Sequence, residues 1–404
     1  MAPVTSTNLF HHRPFLFFLG SRGFSRIATQ IAAVAVGWQI YEMTDSAFFL
    51  GMVGLAQFLP TAILVFLAGQ AADQYDRRRV LQVCQFAAAL VAVFLAWGSY
   101  GGWLTAPQIF AAMAVLGTVT AFENPATAAL LPNAAPPHML QQATAVSTAA
   151  TQLAIIAGPA IGGLTYAISP ATPYTIMMVL WLLSMAMSGL IQVERTITAK
   201  EPMTFATLFA GASFVRHNPA ILGTISLDLF AVLLGGAVAL LPIYARDILF
   251  IGPLGLGLLR TAPAIGSLAM TAVMARHAIK RRAGMRMFQA VIVFGVATVV
   301  FAVSHVMWLS IAALIVMGAA DTVSVVIRFS LVQLATPDAM RGRVGAVNFL
   351  FINASNQLGQ FESGLTAALM GTVPAAVLGG VGTVLVALLW MKLFPTLRNV
   401  ERLD

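Results

Sequence analysis

The sequence predicts an all-α polytopic membrane protein: twelve transmembrane helices in two pseudo-symmetric six-helix bundles. Three observations predict it: a shortage of charge, a series of long apolar runs, and a one-sided placement of Lys and Arg. The 404-residue chain is 59% hydrophobic and only 9% charged, where soluble domains carry about 25% charged residues. A soluble chain this poor in charge could not cover its own surface. Runs of about 20 apolar residues identify the medium that covers it as lipid.

The runs fall at 14–41, 47–71, 79–99, 106–130, 141–168, 173–192, 219–245, 254–276, 285–304, 307–335, 345–370 and 374–394. They are too long for barrel strands, which alternate over about ten residues. The first run follows a polar stretch and is too long for a signal-peptide core, so it is expected to be retained. Outside the runs, Arg246 alone falls on one side. Between the runs and at their ends, Arg13, Arg77–Arg79, Arg216, Arg276, Arg286, Arg341, Arg343, Lys392, Arg398 and their neighbours fall on the side of the termini. The positive-inside rule then places both termini in the cytoplasm, in the inner (plasma) membrane of a bacterium. The net charge of +8 is thereby a topology signal, and no nucleic-acid partner is expected.

The longest polar stretch separates runs six and seven. It divides the chain into a bundle at 1–192, a cytoplasmic linker at 193–218 and a bundle at 219–404. Phe205, Leu208, Phe209 and Ala212 recur at helical spacing in the linker, which predicts an interfacial amphipathic helix. The halves echo each other: Tyr41, Gly54 and Pro60 recur as Tyr244, Gly257 and Pro263, each 203 residues on. Such an offset fits parallel repeats.

Charges at bilayer depth cost roughly 2.5–3.5 kcal/mol on insertion scales and are functional candidates by default. Eight occur: Arg22, Arg26, Glu123, Asp228, Arg260, Asp321, Arg328 and Glu362. Arg22 and Arg26 share a helix face, about 10 and 16 Å deep counted from Phe15. They suit either an anionic substrate or structural pairing with an acid of another helix. Burial raises a carboxylate's pKa and equips it to carry a proton. The order of candidates is Asp321, Asp228, Glu123, then Glu362, and the alternative for each is a salt bridge to Arg22, Arg26 or Arg328. Asp321 and Arg328 lie seven residues apart on one face, expected too distant to pair and placed to bracket a cavity. Arg260 is expected near the start of its helix, where snorkelling accounts for it. Asn353, Asn356, Gln357 and Gln360 form an amide stripe that either lines a polar path or bonds helices together. Gln30, Trp38, Gln39 and Gln57 add aromatic and amide candidates for the cavity.

No phosphate-binding loop, metal-ligand cluster or catalytic constellation occurs, so neither an enzyme nor a cofactor is expected, and ATP does not drive the chain directly. The single cysteine, Cys84, excludes an internal disulfide.

Three segments carry a family resemblance. Gly69-Gln-Ala-Ala-Asp73-Gln-Tyr-Asp76-Arg77-Arg78-Arg79 resembles the loop signature of the major facilitator superfamily, with Asp76 where the signature has Gly. Asp73 ends its own helix, where the macrodipole disfavours a carboxylate. Ala154-Ile-Ile-Ala-Gly158-Pro159-Ala-Ile-Gly162-Gly163 is similar to the superfamily's antiporter signature, a small-residue packing pattern. Residues 37–44, 122–126 and 336–344 resemble the branch that holds enterobactin exporters and macrolide-efflux proteins, with Thr127 where that branch often has Arg. The resemblance implies alternating access, a cavity lined by helices one, four, seven and ten, and a cytoplasmic gate at Gly69, Asp73, Arg77, Arg78, Arg341 and Arg343. The function it implies is proton-coupled export of a siderophore- or drug-like small molecule by a monomer in the lipid bilayer. Uptake or uniport of a metabolite, and a non-transporting scaffold or sensor, fit the same residues.

Overall fold

The computed structural model describes residues 9–192, 212–277, 282–337 and 340–401, without the side chains of residues 66, 73, 341, 342, 346 and 349. Among the described residues, twelve long helices follow the predicted runs. They are α1 (Arg13–Thr44), α2 (Ala47–Gln74), α3 (Arg77–Gly101), α4 (Ala106–Ala134), α5 (Leu140–Tyr166) and α6 (Thr172–Leu190), then α7 (Pro219–Leu234), α8 (Gly252–Arg276), α9 (Ala283–Val303), α10 (Met307–Leu334), α11 (Arg341–Met370) and α12 (Thr372–Leu393). Among the described residues ten helices are long and apolar enough to cross a membrane. α1 and α11 are not among those ten. They carry Arg22, Arg26, Gln30 and Gln39, and Asn348, Asn353, Asn356, Gln357, Gln360 and Glu362 respectively.

Local chemistry sets the helix ends. Asp76 caps α3, its carboxylate accepting from the Arg78 backbone N–H at 3.0 Å. Gly102 ends α3 with φ +67°, the left-handed conformation only glycine adopts cheaply. The Thr105 N–H reaches the Gln108 Oε1 at 2.8 Å at the start of α4. Asn218 caps α7, with Pro219 at the first helical position.

The chain forms two compact units. One holds Met1–Gln39 and Leu59–Met203, the other Ile40–Phe58 and Thr204–Asp404. In the first, α3 packs on α4 and α6, and α5 on α6. Leu9, Phe15, Phe18, Leu81, Leu130 and Ile191 form its apolar cluster. Interhelical polar bonds join α1, α3 and α6: Gln85 donates to Ser21 Oγ at 3.0 Å, Ser188 to Gln85 at 3.0 Å, and Ser184 to the Ser21 carbonyl at 2.7 Å. In the second unit α10 packs on α8 and α9, while α12 packs on α7 and α9.

The seventh run is not one helix. α7 ends at Leu234, and Gly235 and Gly236 lead into a 3-10 helix, Ala237–Leu240, then a single α turn, Leu241–Ile243, and a π-helical segment, Tyr244–Ile248. A Cβ on Gly236 would lie 2.5 Å from the Gly359 carbonyl oxygen of α11, so the break lets two backbones meet. α11 starts earlier than predicted, and Arg341 and Arg343 occupy its first turn instead of preceding it. The expected linker helix lies largely outside the described residues, of which 212–217 are helical.

Candidate functional site

The first unit brings α1, α4 and α5 together around three half-buried charges, Arg22, Arg26 and Glu123. Arg22 Nε donates to Thr151 Oγ1 at 2.9 Å, and Arg26 Nη2 donates to Asn124 Oδ1 at 2.6 Å. Ser25, between the two arginines on α1 and only 2% exposed, donates to Glu123 Oε1 at 2.6 Å. Arg22, Arg26 and Glu123 are thus neighbours, yet each bonds to a neutral partner.

The second unit solves the same problem differently. Arg328 of α10 forms a short ion pair with Asp228 of α7, and its other nitrogen, Nη2, stands 3.8 Å from Asp321 Oδ1. This corrects the expectation that Asp321 and Arg328 lie too far apart. Side chains lean toward the N-terminus of their helix, so the long guanidinium reaches back two turns. The Asp228 and Arg328 side chains are 10% and 9% exposed, whereas that of Asp321 is 47% exposed. All three line a cavity of about 210 Å³ with Thr224, Asn348 and Asn356, walled by Val232, Val325, Phe329, Val332 and Ile352. A second cavity of about 260 Å³ shares Phe329, Val332, Asn348 and Ile352, and adds Gln333, Thr336, Val344 and Gly345.

The remaining candidates separate. Glu362 accepts from Thr366 Oγ1 at 2.9 Å, within its own helix. The Gln357 Oε1 is buried without a partner among the described residues, and Asn356 bonds the Ile352 carbonyl at 2.8 Å. Asn353 lies half-buried on the same helix. Arg260 lies eight residues into α8, about 12 Å along it, with Nε buried and unpartnered among the described residues, so it is not at the helix mouth where snorkelling would serve it. Gln39 is structural: it donates to Ser99 at 2.9 Å and accepts from Tyr174 Oη at 2.5 Å. Trp38 is buried against Tyr166. Gln57 lies half-buried in α2. No group of three or more His, Cys, Asp or Glu suited to a metal ion occurs among the described residues.

Charged side chains thus stand within α1, α4, α7 and α10, and comparison with known proteins decides the family. The model of the MFS_3 family, described as transmembrane secretion effector, matches residues 8–404. The chain belongs to that family of major facilitator transporters. The enterobactin exporter EntS of Citrobacter koseri is 25% identical over 97% of this chain and 94% of that protein. The multidrug efflux pump Tap of Mycolicibacterium fortuitum is 28% identical over 89% and 90%. The staphyloferrin A transporter of Staphylococcus aureus is 27% identical over 40% and 39%. Among solved structures, the nucleoside transporter NupG superposes with a TM-score of 0.70 at 14% identity, covering 94% of this chain and 99% of that one. A bacterial homologue of the lysosomal transporter Spinster gives 0.75 at 11% identity, covering 96% and 97%. The protein is therefore a multi-pass membrane transporter and not an enzyme.

The family signatures take on physical meaning in the structure. Asp76 stands where the loop signature has Gly, yet its φ of −63° needs no glycine, and the residue acts as a helix cap. Its carboxylate also bonds the Arg78 side chain, which holds it below the usual carboxylate range. Arg78 reaches the Ile191 carbonyl at the end of α6 at 2.8 Å, and Arg77 the Ala129 carbonyl of α4 at 3.2 Å. These cations satisfy carbonyls as well as marking topology. Gly69 has open space where a Cβ would stand. The side chains of Asp73 and Arg341 lie outside those described, and Arg343 is half-buried in α11. In the second signature, a Cβ on Gly158 would collide with Gln30 Cβ, and one on Gly162 would meet Val34 at 3.1 Å. α5 therefore rides directly on α1 beside Gln30, and Pro159 and Gly163 are buried in the same helix.

Sequence reasoning missed the neutral partners Ser25, Asn124 and Thr151, because helix rotation decides which polar residues meet. It also missed a cluster at the end of the second unit that holds Ile40–Phe58. Tyr41 Oη makes a short bond to Asp247, and Arg246 bonds Asp45 at 2.7 Å and the Tyr41 carbonyl at 3.2 Å. The Arg246 guanidinium lies 5.3 Å over the Tyr41 ring. The signal was present: Arg246 is the single cation outside the runs on its side of the chain.

Proposed function

We propose that the chain is a proton-coupled exporter of a small, siderophore- or drug-like molecule, working by alternating access as a monomer in a bacterial inner membrane, both termini cytoplasmic. The observation that carries the coupling is the contrast within the Asp228–Arg328–Asp321 triad. Asp228 holds Arg328 tightly and is closed off, whereas Asp321 is half-exposed in a cavity and loosely held. A proton on Asp321 leaves a neutral Asp228–Arg328 pair behind. A proton on Asp228 would disturb the tight pair, and an uncompensated buried charge is costly. Asp321 is thus the first-choice carrier, with Asp228, Glu123 and Glu362 after it.

Export is favoured by the family's description as secretion effectors and by relatives named for enterobactin export and multidrug efflux. The bundles at 1–192 and 219–404, joined by 193–218, would move against each other. Arg22, Arg26, Arg328, Gln30, Asn353 and Gln357 would face substrate. Gly69, Asp73, Arg77, Arg78, Arg341 and Arg343 would form the cytoplasmic gate. Asp73 at the end of α2 and Arg341 and Arg343 at the start of α11 are each the wrong sign for their own helix dipole, which suits residues that serve another element.

Purified protein in proteoliposomes tests the reading. Counterflow across a panel that includes enterobactin and efflux-pump dyes should show exchange, and a pH gradient should accelerate movement out of the cytoplasmic side. Folded protein that exchanges nothing in the panel would leave the scaffold reading. Gradient-driven accumulation on the cytoplasmic side would leave uptake.

A further inference from the structure

The two arginines of α1 are held in a way that a purely structural pair would not need. Each guanidinium has five N–H donors. Arg22 gives one to Thr151 and Arg26 one to Asn124, both neutral. Among the described residues neither makes an ion pair, although Glu123 lies in the same cluster and is held by Ser25. Thr151 is itself anchored to the Ser147 carbonyl at 2.9 Å, and Gly158 sets α5 close against α1. The cluster therefore sets two oriented cations against one carboxylate, with no ion pair to either among the described residues, and an excess cation within an apolar run calls for a partner. Planar guanidinium forks match carboxylate geometry, and side chains four apart on a helix begin about 5–6 Å from each other.

We infer that Arg22 and Arg26 form a binding site for an organic anion carrying carboxylates, one carboxylate to each guanidinium. The inference rests on the transporter reading and names its substrate class: a polycarboxylic acid. Thr151 and Asn124 position the two forks and leave their remaining donors to the ligand.

The test is equilibrium binding of radiolabelled benzene-1,3,5-tricarboxylate to the full chain in nanodiscs, with its neutral trimethyl ester as control. The wild type should bind the acid and not the ester. R26Q and R22Q should each weaken binding about tenfold or more, and the double variant should abolish it. R22K/R26K should recover part of the affinity, which also covers the case in which the glutamines fail to fold. Folded protein that binds the acid no better than the ester, or acid binding unchanged in the double glutamine variant, overturns the inference. Binding without any transport in proteoliposomes would leave the site and remove the exporter reading. Gradient-driven movement of cationic dyes by a protein that ignores the acid would do the reverse.

Discussion

The polar cluster of the first unit and that of the second occupy corresponding places and are built oppositely. Ser25 meets Glu123 across α1 and α4, and Asp228 meets Arg328 across α7 and α10, positions 203 and 205 residues further on. In the first, two arginines and one glutamate each rest on a neutral partner. In the second, one arginine is clamped between two aspartates. A tight ion pair answers burial inside the protein but fixes its members. Neutral partners orient a charge and leave it available to something else. The comparison assigns rigidity to Asp228 and Arg328, and availability to Arg22, Arg26 and the loosely held Asp321.

The largest break in that comparison is R328Q. It strands two carboxylates, one of them closed off, and should cost about 3–5 kcal/mol in unfolding measured in lipid nanodiscs. Adding D228N should recover much of that loss, since the stranded charge goes too. Next, Gly318→Val should be strongly destabilising. A Cβ there would collide with the Pro263 carbonyl oxygen, and the crossing of α8 and α10 would have to open. Cysteine accessibility at Asp321→Cys should rise with it. R26Q removes one hydrogen bond to a neutral partner, so its stability should fall by only about 0.5–1.5 kcal/mol. A loss as large as that of R328Q would mean that Arg26 is a structural ion after all.

The smallest effect belongs outside the membrane. The Asp76 carboxyl is held low by Arg78, so its contribution is present at neutral pH and disappears as pH falls through the carboxylate range. D76N should flatten that part of an acid unfolding profile by under about 1 kcal/mol, keeping the cap. A D76N profile that overlays the wild type would remove this contribution.

The helices were legible because a run of about 20 apolar residues is a one-dimensional signal. The break at Gly235-Gly236 was not, because glycine is common in membrane helices and only the close approach of the Gly359 backbone shows why Gly236 must be one. The buried charges were legible by their cost. Their partners were not: the Arg26–Asn124 bond depends on how α1 and α4 are rotated. The Arg328–Asp321 approach depends on the direction a side chain leans, which spacing along the axis omits. Asp76 could have been read as a cap from its place before α3. The tyrosine–arginine cluster at Tyr41 and Arg246 joins residues more than 200 positions apart and needed the fold.

The coupling role of Asp321 is the claim on which the account turns. Proteoliposomes bearing D321N should retain substrate counterflow, because Asp228 still holds Arg328 and the fold is kept. They should lose acceleration by an imposed pH gradient. A D321N protein that responds to the gradient as fully as the wild type would contradict the account.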